Sequence, residues 1–293
     1  MTKYQDYHAD GTLDDRTRYT YDADGNLIKE ARDSGADGTV EQVLAYSYDD
    51  AGNQTVVKMN GMVIDVCTYD DLGDRLSCTM YDSTGTVAIF YWSYDSGLEL
   101  TYEGDFDADG TIDLLVSYIY NADSQLILRE WDEEVDGTIN STESYTYDPA
   151  GNLATVTDDY YADGTVVDVT TYSWDSSGNM LTEEVDQGDD GITEYRSTWT
   201  WDGDGNMLTE ALDGGSDVAD GVLDELSTWT WGSGSRLLTE DLDEGADGFV
   251  DERWSWTYDV EGKLLSQEDD QGVDGVVDER WIWVVDFRPL PPS

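Results

Sequence analysis

Acidic side chains recur along this chain at one fixed spacing: Asp, three residues, Asp-Gly, two residues, and a third oxygen-bearing side chain. The copies are Asp6, Asp10 and Asp14; Asp33, Asp37 and Glu41; Asp105, Asp109 and Asp113, with Asp107 between them; Asp132, Asp136 and Asn140; Asp186, Asp190 and Glu194; Asp243, Asp247 and Asp251; and Asp270, Asp274 and Asp278. Such carboxylates converge when the loop is tight, and Gly permits the bend. A Ca²⁺ ion with its six to eight hard oxygen ligands needs that arrangement. Calcium binding is therefore the expected chemistry of these residues. The plainer reading is that Asp and Gly form turns well and that an acidic surface keeps a chain soluble. A turn needs one Asp and one Gly, however, and not three acids at constant spacing. Stacked hairpins would also bring equivalent loops within about 10 Å of each other, close to the Debye length at moderate salt, so the clusters would repel unless cations bound.

The copy at Asp105 reads Asp-x-Asp-x-Asp-Gly-x-x-Asp and resembles the calcium loops of dockerins, thrombospondin type 3 repeats and EF-hands. The bidentate Glu that closes such loops at the twelfth position is replaced by Leu44, Val116 and Trp254, so the resemblance implies weak affinity, about 10⁻⁴ to 10⁻³ M. Four degenerate regions depart from the pattern. Asp159 to Asp163 is followed by Val167 in place of an acid, the copy read as Asp217 to Asp224 carries an insertion, and the stretches at Asn60-Gly61 and Asp82 to Gly85 have lost it.

The elements that must position these loops follow from a repeat. An aromatic or apolar residue precedes a turn at Tyr21, Tyr48, Tyr69, Tyr94, Tyr120, Tyr147, Trp174, Trp201, Trp231, Tyr258 and Val285, which divides residues 1–286 into about ten units of about 27 residues. Residues 287–293, with Pro289, Pro291 and Pro292, cannot continue a sheet. Within a unit two strands alternate with two turns, and the apolar period is two: Val250, Glu252, Trp254, Trp256 and Tyr258 share one face. The first turn reads Asp-x-x-Gly-Asn, as at Asp22 to Asn26 and Asp148 to Asn152, which suits a type I turn closed by a bulge. The fold class predicted is all-β, a single tandem-repeat domain of β-hairpins in a coiled antiparallel sheet.

Tyr21-Asp22-Ala23-Asp24-Gly25-Asn26-Leu27 and Tyr147-Asp148-Pro149-Ala150-Gly151-Asn152-Leu153 resemble the YD-repeat, or RHS-repeat, family. That resemblance covers nearly all of the chain. It implies a spiral strip of β-hairpins, as in bacterial surface proteins and in shells that enclose toxins.

Composition removes several functions. With 67 acidic and 14 basic residues among 293, the formal charge is -53, so contact with nucleic acid or an anionic membrane is not expected. No apolar run is long enough to span a bilayer, and Met1 to Asp6 carries no leader-like pattern. The acids are 48 Asp and 19 Glu, which places the excess in turns rather than on helix surfaces. The lone His8 offers no zinc pair, and a tandem array does not provide the one asymmetric constellation an active site needs, so no enzyme is expected. Cys67 and Cys78 flank the turn Asp70 to Gly73 and, by simple counting, face opposite sides, so buried free thiols are expected.

Paired aromatics such as Tyr145/Tyr147, Trp199/Trp201 and Trp254/Trp256 form a row along one face, expected as core, with a polysaccharide-stacking platform as the alternative. The expected role is a calcium-binding structural element of the bacterial cell surface or secreted matrix: a stiff spacer, adhesin segment or fibre subunit. Self-association through end strands is a possible partnership. A carbohydrate-binding module and a shell fragment of an RHS-type toxin are the alternatives.

Overall fold

The computed structural model describes residues 2–7, 13–214 and 218–282, with side chains from residue 15 onward. The expected tail at 287–293 lies outside these residues. Among them are 22 strands and no helix. Every described pairing is antiparallel and joins strands adjacent in sequence, which makes the chain an all-β hairpin repeat of the solenoid-like class.

Two compact units are distinguished. The first comprises Met1–Ser47, Lys58–Met62 and Ser227–Ser293, and the second Tyr48–Val57 and Val63–Leu226. Within the first unit, strand Thr2–Tyr7 approaches strand Glu279–Ile282. Within the second, strands from Val63 to Asp213 run as an unbroken series of hairpins.

The Asp-x-x-Gly turn is built as its residues dictate. Asp148 N–H donates to the Asn152 carbonyl at 2.8 Å, and Gly151 N–H to the Asp148 carbonyl at 3.0 Å. The Asp148 side chain accepts from Ala150 N–H at 2.8 Å and Asn152 N–H at 2.9 Å, while the Asn152 side-chain amide donates to its other oxygen at 2.9 Å. Gly151 has φ +93°, a conformation that costs an L side chain energy, which explains why this position is Gly. Just outside the turn the register slips by one residue: Thr146 faces Thr155, but Tyr147 faces Leu153. The same bulge recurs at Tyr21/Leu27, Trp174/Met180, Trp201/Met207 and Tyr258/Leu264.

This bulge overturns the expectation for the cysteines. Asp70 does pair with Asp74, at 2.9 Å, but Tyr69 faces Arg75 and Thr68 faces Ser77, so Leu76 is the extra residue. The shift of one places Cys78 directly opposite Cys67, and the two form a disulfide. Both are buried, as expected, but neither is a free thiol.

The aromatic row joins successive units through its polar tips. The Tyr147 hydroxyl donates to the Leu126 carbonyl at 2.7 Å, the Trp174 indole N–H to the Leu153 carbonyl at 2.7 Å, and the Trp201 indole N–H to the Met180 carbonyl at 2.6 Å, each 21 residues back. Tyr and Trp alternate freely here because both carry a donor at the rim of a large apolar ring. On the opposite face, hydroxyl pairs such as Thr146 with Thr155 and Thr200 with Thr209, both at 2.6 Å, bridge the strands of several hairpins. The row itself is half-buried rather than a closed core. Burial still pushes the pKa of the Tyr118 and Tyr172 hydroxyls up to about 12, so both stay neutral donors. The fully buried apolar residues among those described are small: Cys67, Cys78, Ala88, Val116, Val156 and Ala211.

Replacing Tyr147 with Phe keeps the ring and removes only the tip bond. Urea unfolding should show a loss of about 0.5 to 1.5 kcal/mol; an unchanged midpoint would mean that the tip bond does not hold the units together.

Candidate functional site: the acidic loops

Each acidic loop connects the second strand of one hairpin to the first strand of the next. Eight copies are described, beginning at Asp33, Asp105, Asp132, Asp159, Asp186, Asp213, Asp243 and Asp270. The copy at Asp6, Asp10 and Asp14 falls where side chains, and at 8–12 the backbone, lie outside the described residues.

The first acid is sunk into the protein in six of the eight described copies, and half-buried at Asp186 and Asp270. Asp33 and Asp105 are each 2% exposed and are the largest side chains so completely buried, and Asp132, Asp159, Asp213 and Asp243 are buried too. Burying a carboxylate is costly unless hydrogen bonds replace its water, and here the loop backbone supplies them. Asp105 accepts from Asp109 N–H at 3.1 Å and Gly110 N–H at 2.9 Å. Asp132 accepts from Asp136 and Gly137 at 3.2 and 2.9 Å, and Asp186 from Asp190 and Gly191 at 3.0 and 2.9 Å. Asp243 accepts from Asp247 and Gly248 at 3.0 and 2.9 Å, and Asp270 from Asp274 and Gly275, both at 3.1 Å. In the Asp33 loop the Gly38 bond is 3.1 Å long, and Arg16 lies 3.6 Å from the other oxygen.

The backbone conformation explains why two successive N–H groups point at one carboxylate. The residue before the second Asp is left-handed, with φ 57° at Ala108, 49° at Val135 and 45° at Val273, and the Gly two positions later is left-handed again. Successive amides so turned form a concave anion nest. A β-branched Val at positive φ is strained, so the nest is kept even where the residue type opposes it.

The other two acids have equally local partners. The second Asp accepts from the N–H two residues on: Asp37 from Thr39 at 2.8 Å, Asp109 from Thr111 at 2.7 Å and Asp247 from Phe249 at 3.0 Å. The third side chain receives the N–H of the residue after the first Asp. Asp113 accepts from Phe106 at 2.7 Å, Glu41 from Ser34 at 2.7 Å, Glu194 from Gln187 at 2.7 Å, Asp251 from Glu244 at 2.8 Å and Asp278 from Gln271 at 2.8 Å. Asn140 makes the same bond to Glu133 N–H at 2.6 Å, so an acceptor oxygen suffices and charge is not required. All three positions of the spacing therefore have a hydrogen-bonding reason that sequence reasoning overlooked.

The degenerate copies follow the same logic. Asp159 still receives Gly164 N–H at 2.7 Å although Val167 offers nothing. The inserted loop begins at Asp213, not at Asp217: Asp220 and Gly221 donate to Asp213 at 3.0 and 2.9 Å, and Gly214 to Asp224 at 2.7 Å. The insertion thus lies between the first and second acids.

Convergence of acids on a point is rarer than their spacing suggests. Among the described residues, Asp105, Asp107 and Asp109 are the loop acids that each offer one carboxylate oxygen within 4.8 Å of the others. Two oxygens bound to one Ca²⁺ at 2.3 to 2.6 Å are at most about 5.2 Å apart, so this trio fits a calcium ion. The other described loops carry Gly, Glu134 or Tyr161 at the position of Asp107, or an insertion. The amides take one lone pair on each Asp105 oxygen and leave the rest available.

No family model matches this chain, and no curated protein matches it. Among solved structures it is similar to the crystal structure of TcdB2-TccC3-Cdc42, at 18% identity with a TM-score of 0.54, over 90% of this chain and 14% of that one. The fold is RHS-like. This chain spans well under two thirds of that protein's length. Looser likenesses are to the crystal structure of TcdB2-TccC3, at 14% identity and TM-score 0.36 over 93% of this chain and 19% of that chain, and to a porin-like protein from Bacteroides uniformis, at 13% identity and TM-score 0.29 over 81% of this chain and 93% of that chain.

Bonds from Thr111, Thr138 and Thr165, the hydroxyl first and then the N–H, hold Asp109, Asp136 and Asp163 below the ordinary carboxylate value of 3.8. A lowered folded pKa gives stability that is present above 3.8 and is lost as pH falls through the folded value. Asp136→Ala should therefore melt below the parent protein at pH 6, and the deficit should shrink as the pH approaches about 2. A deficit independent of pH would show that the ionised carboxylate is not what the loop uses.

Proposed function

We propose that the chain is a non-enzymatic structural repeat, a stiff β-hairpin strip of the extracellular surface or secreted matrix, with calcium bound at the loop Asp105 to Asp113. The observation that carries this reading is the recurrence of one set of bonds along the chain: carboxylate nests at Asp105, Asp132, Asp186 and Asp243, hydroxyl pairs at Thr146/Thr155 and Thr200/Thr209, and tip bonds at Tyr147, Trp174 and Trp201. Such an array resists extension along its length without any one site being special. The Cys67–Cys78 disulfide supports an oxidising compartment, and hence export. A shell segment of an RHS-type toxin is the second reading, favoured by the fold likeness to the TcdB2-TccC3-Cdc42 structure.

Calcium is proposed at one loop rather than seven because, among the described loops, that loop alone brings three carboxylates together, and Asp107's own bond to Asp109 N–H is long at 3.2 Å. Titration calorimetry on the full chain should show weak binding, with a dissociation constant on the order of 10⁻⁴ to 10⁻³ M. Asp107→Asn should abolish most of that heat and leave the melting temperature in chelator unchanged. No binding by the parent protein, or binding unaffected by this substitution, would remove calcium from the proposal.

A further inference from the structure

The repeat is broken at Asn60-Gly61 and at Asp82 to Gly85, where short turns replace the acidic loops. At this break one sheet face carries an open recess of about 280 Å³ lined by Asp65, Arg75, Met80, Phe90, Trp92 and Tyr102, together with Cys78 of the disulfide. Its volume lies below the roughly 300 to 1,000 Å³ of pockets for drug-sized ligands. The walls are aromatic: Phe90 and Tyr102 stack with centroids 6.0 Å apart, Trp92 meets Tyr102 at 5.5 Å, and Phe106 closes on Phe90 at 6.0 Å. Gly104 makes this possible, because a Cβ there would stand 2.9 Å from the Phe106 ring.

The recess brings one acid and one arginine together with the aromatic rings. Arg129, Arg196, Arg253 and Arg280 each pair with an acid directly opposite on the neighbouring strand, at 3.0, 2.8, 2.6 and 2.8 Å. Arg75 forms no ion pair among the described residues. Its guanidinium lies over the Trp92 ring at 5.5 Å and the Tyr69 ring at 6.0 Å, with its N–H donors unclaimed among those residues. Asp65 feels the Arg75 charge but does not reach it, and burial raises its carboxyl above the usual value. A separated carboxylate and guanidinium over an aromatic floor match a ligand that bears an ammonium, a carboxylate and an apolar body. A net anion would be repelled by a chain of charge -53, and a simple cation would meet Arg75.

We propose that this recess binds a small zwitterion with an apolar side chain, of the class of a free hydrophobic α-amino acid, its ammonium on Asp65, its carboxylate on Arg75 and its side chain against Phe90 and Trp92. The site is independent of calcium and of the mechanical role.

Saturation-transfer NMR on the full oxidised chain tests this with L-phenylalanine and L-leucine against N-acetyl-phenylalanine, phenethylamine and methyl β-glucoside. Transfer is expected from the protein to the two amino acids, with affinity at least tenfold lower for the N-acetyl and decarboxylated analogues. Asp65→Asn and Arg75→Gln should each lower amino-acid affinity at least tenfold without moving the melting temperature, while Trp199→Leu, far along the aromatic row, should leave that affinity unchanged. The proposal is overturned by absence of transfer to either amino acid, by phenethylamine or N-acetyl-phenylalanine binding as well as phenylalanine, by transfer to the glucoside alone, or by amino-acid binding that survives both Asp65→Asn and Arg75→Gln.

Discussion

A buried carboxylate held by two consecutive backbone amides is the interaction on which the rest of this protein depends. It occurs at Asp105, Asp132, Asp213 and Asp243, and it fixes the direction in which the chain re-enters the sheet. An apolar side chain in the same place would leave both amides unsatisfied, and an unpaired buried acid would demand protonation. The nest meets both requirements at once, which is why the two most completely buried large side chains are aspartates in a protein whose fully buried apolar residues are small. Hairpins stacked through such loops need no thick core. Half-buried aromatic rings, tip bonds and hydroxyl pairs supply the remaining cohesion unit by unit, as nearest-neighbour terms do in other repeat architectures.

The charge takes on a different meaning beside these nests. A formal -53 is a liability for compaction, yet much of it is placed where backbone donors offset it. The cross-strand pairs of Arg129, Arg196, Arg253 and Arg280 commit much of the small basic complement to strand faces, not to the loops. Most of the described loops rely on dipoles in place of cations, while at Asp33 the Arg16 guanidinium adds a charge at 3.6 Å. On the proposed reading a cation is an addition at Asp105, Asp107 and Asp109, where three carboxylates converge, rather than a condition for folding everywhere.

The repeat, its all-β character, the Asp-x-x-Gly turns and the loop boundaries other than that of the inserted loop at Asp213 were legible in the sequence because each rests on local chemistry: period two, Gly at positive φ, Asp as a turn acceptor. Three features were not. The one-residue bulge beside each turn adds no distinctive residue, so counting from Asp70 and Asp74 placed Cys67 and Cys78 on opposite faces when Leu76 brings them together. The tip bonds span 21 residues, and only the interchange of Tyr147 with Trp174 and Trp201, never Phe, hints at a required donor. The acid spacing was visible, but its cause was not, since metal ligation and amide capture ask for the same oxygens. Asn140 in place of a third acid, and Gly or Tyr161 at the position of Asp107 in most other loops, were the signals that an acceptor, rather than charge, is the common need.

Whether the nests close without an ion is the question that decides between amide capture and metal ligation. Amide hydrogen exchange in calcium-free buffer reads this residue by residue at Asp109 and Gly110, Asp136 and Gly137, Asp190 and Gly191, and Asp247 and Gly248. Protection comparable to that of the adjoining strand amides, unchanged on adding Ca²⁺ except around Asp105 to Asp113, is the result expected. Exchange at the rate of an open loop until Ca²⁺ is added, in all the loops together, would contradict it.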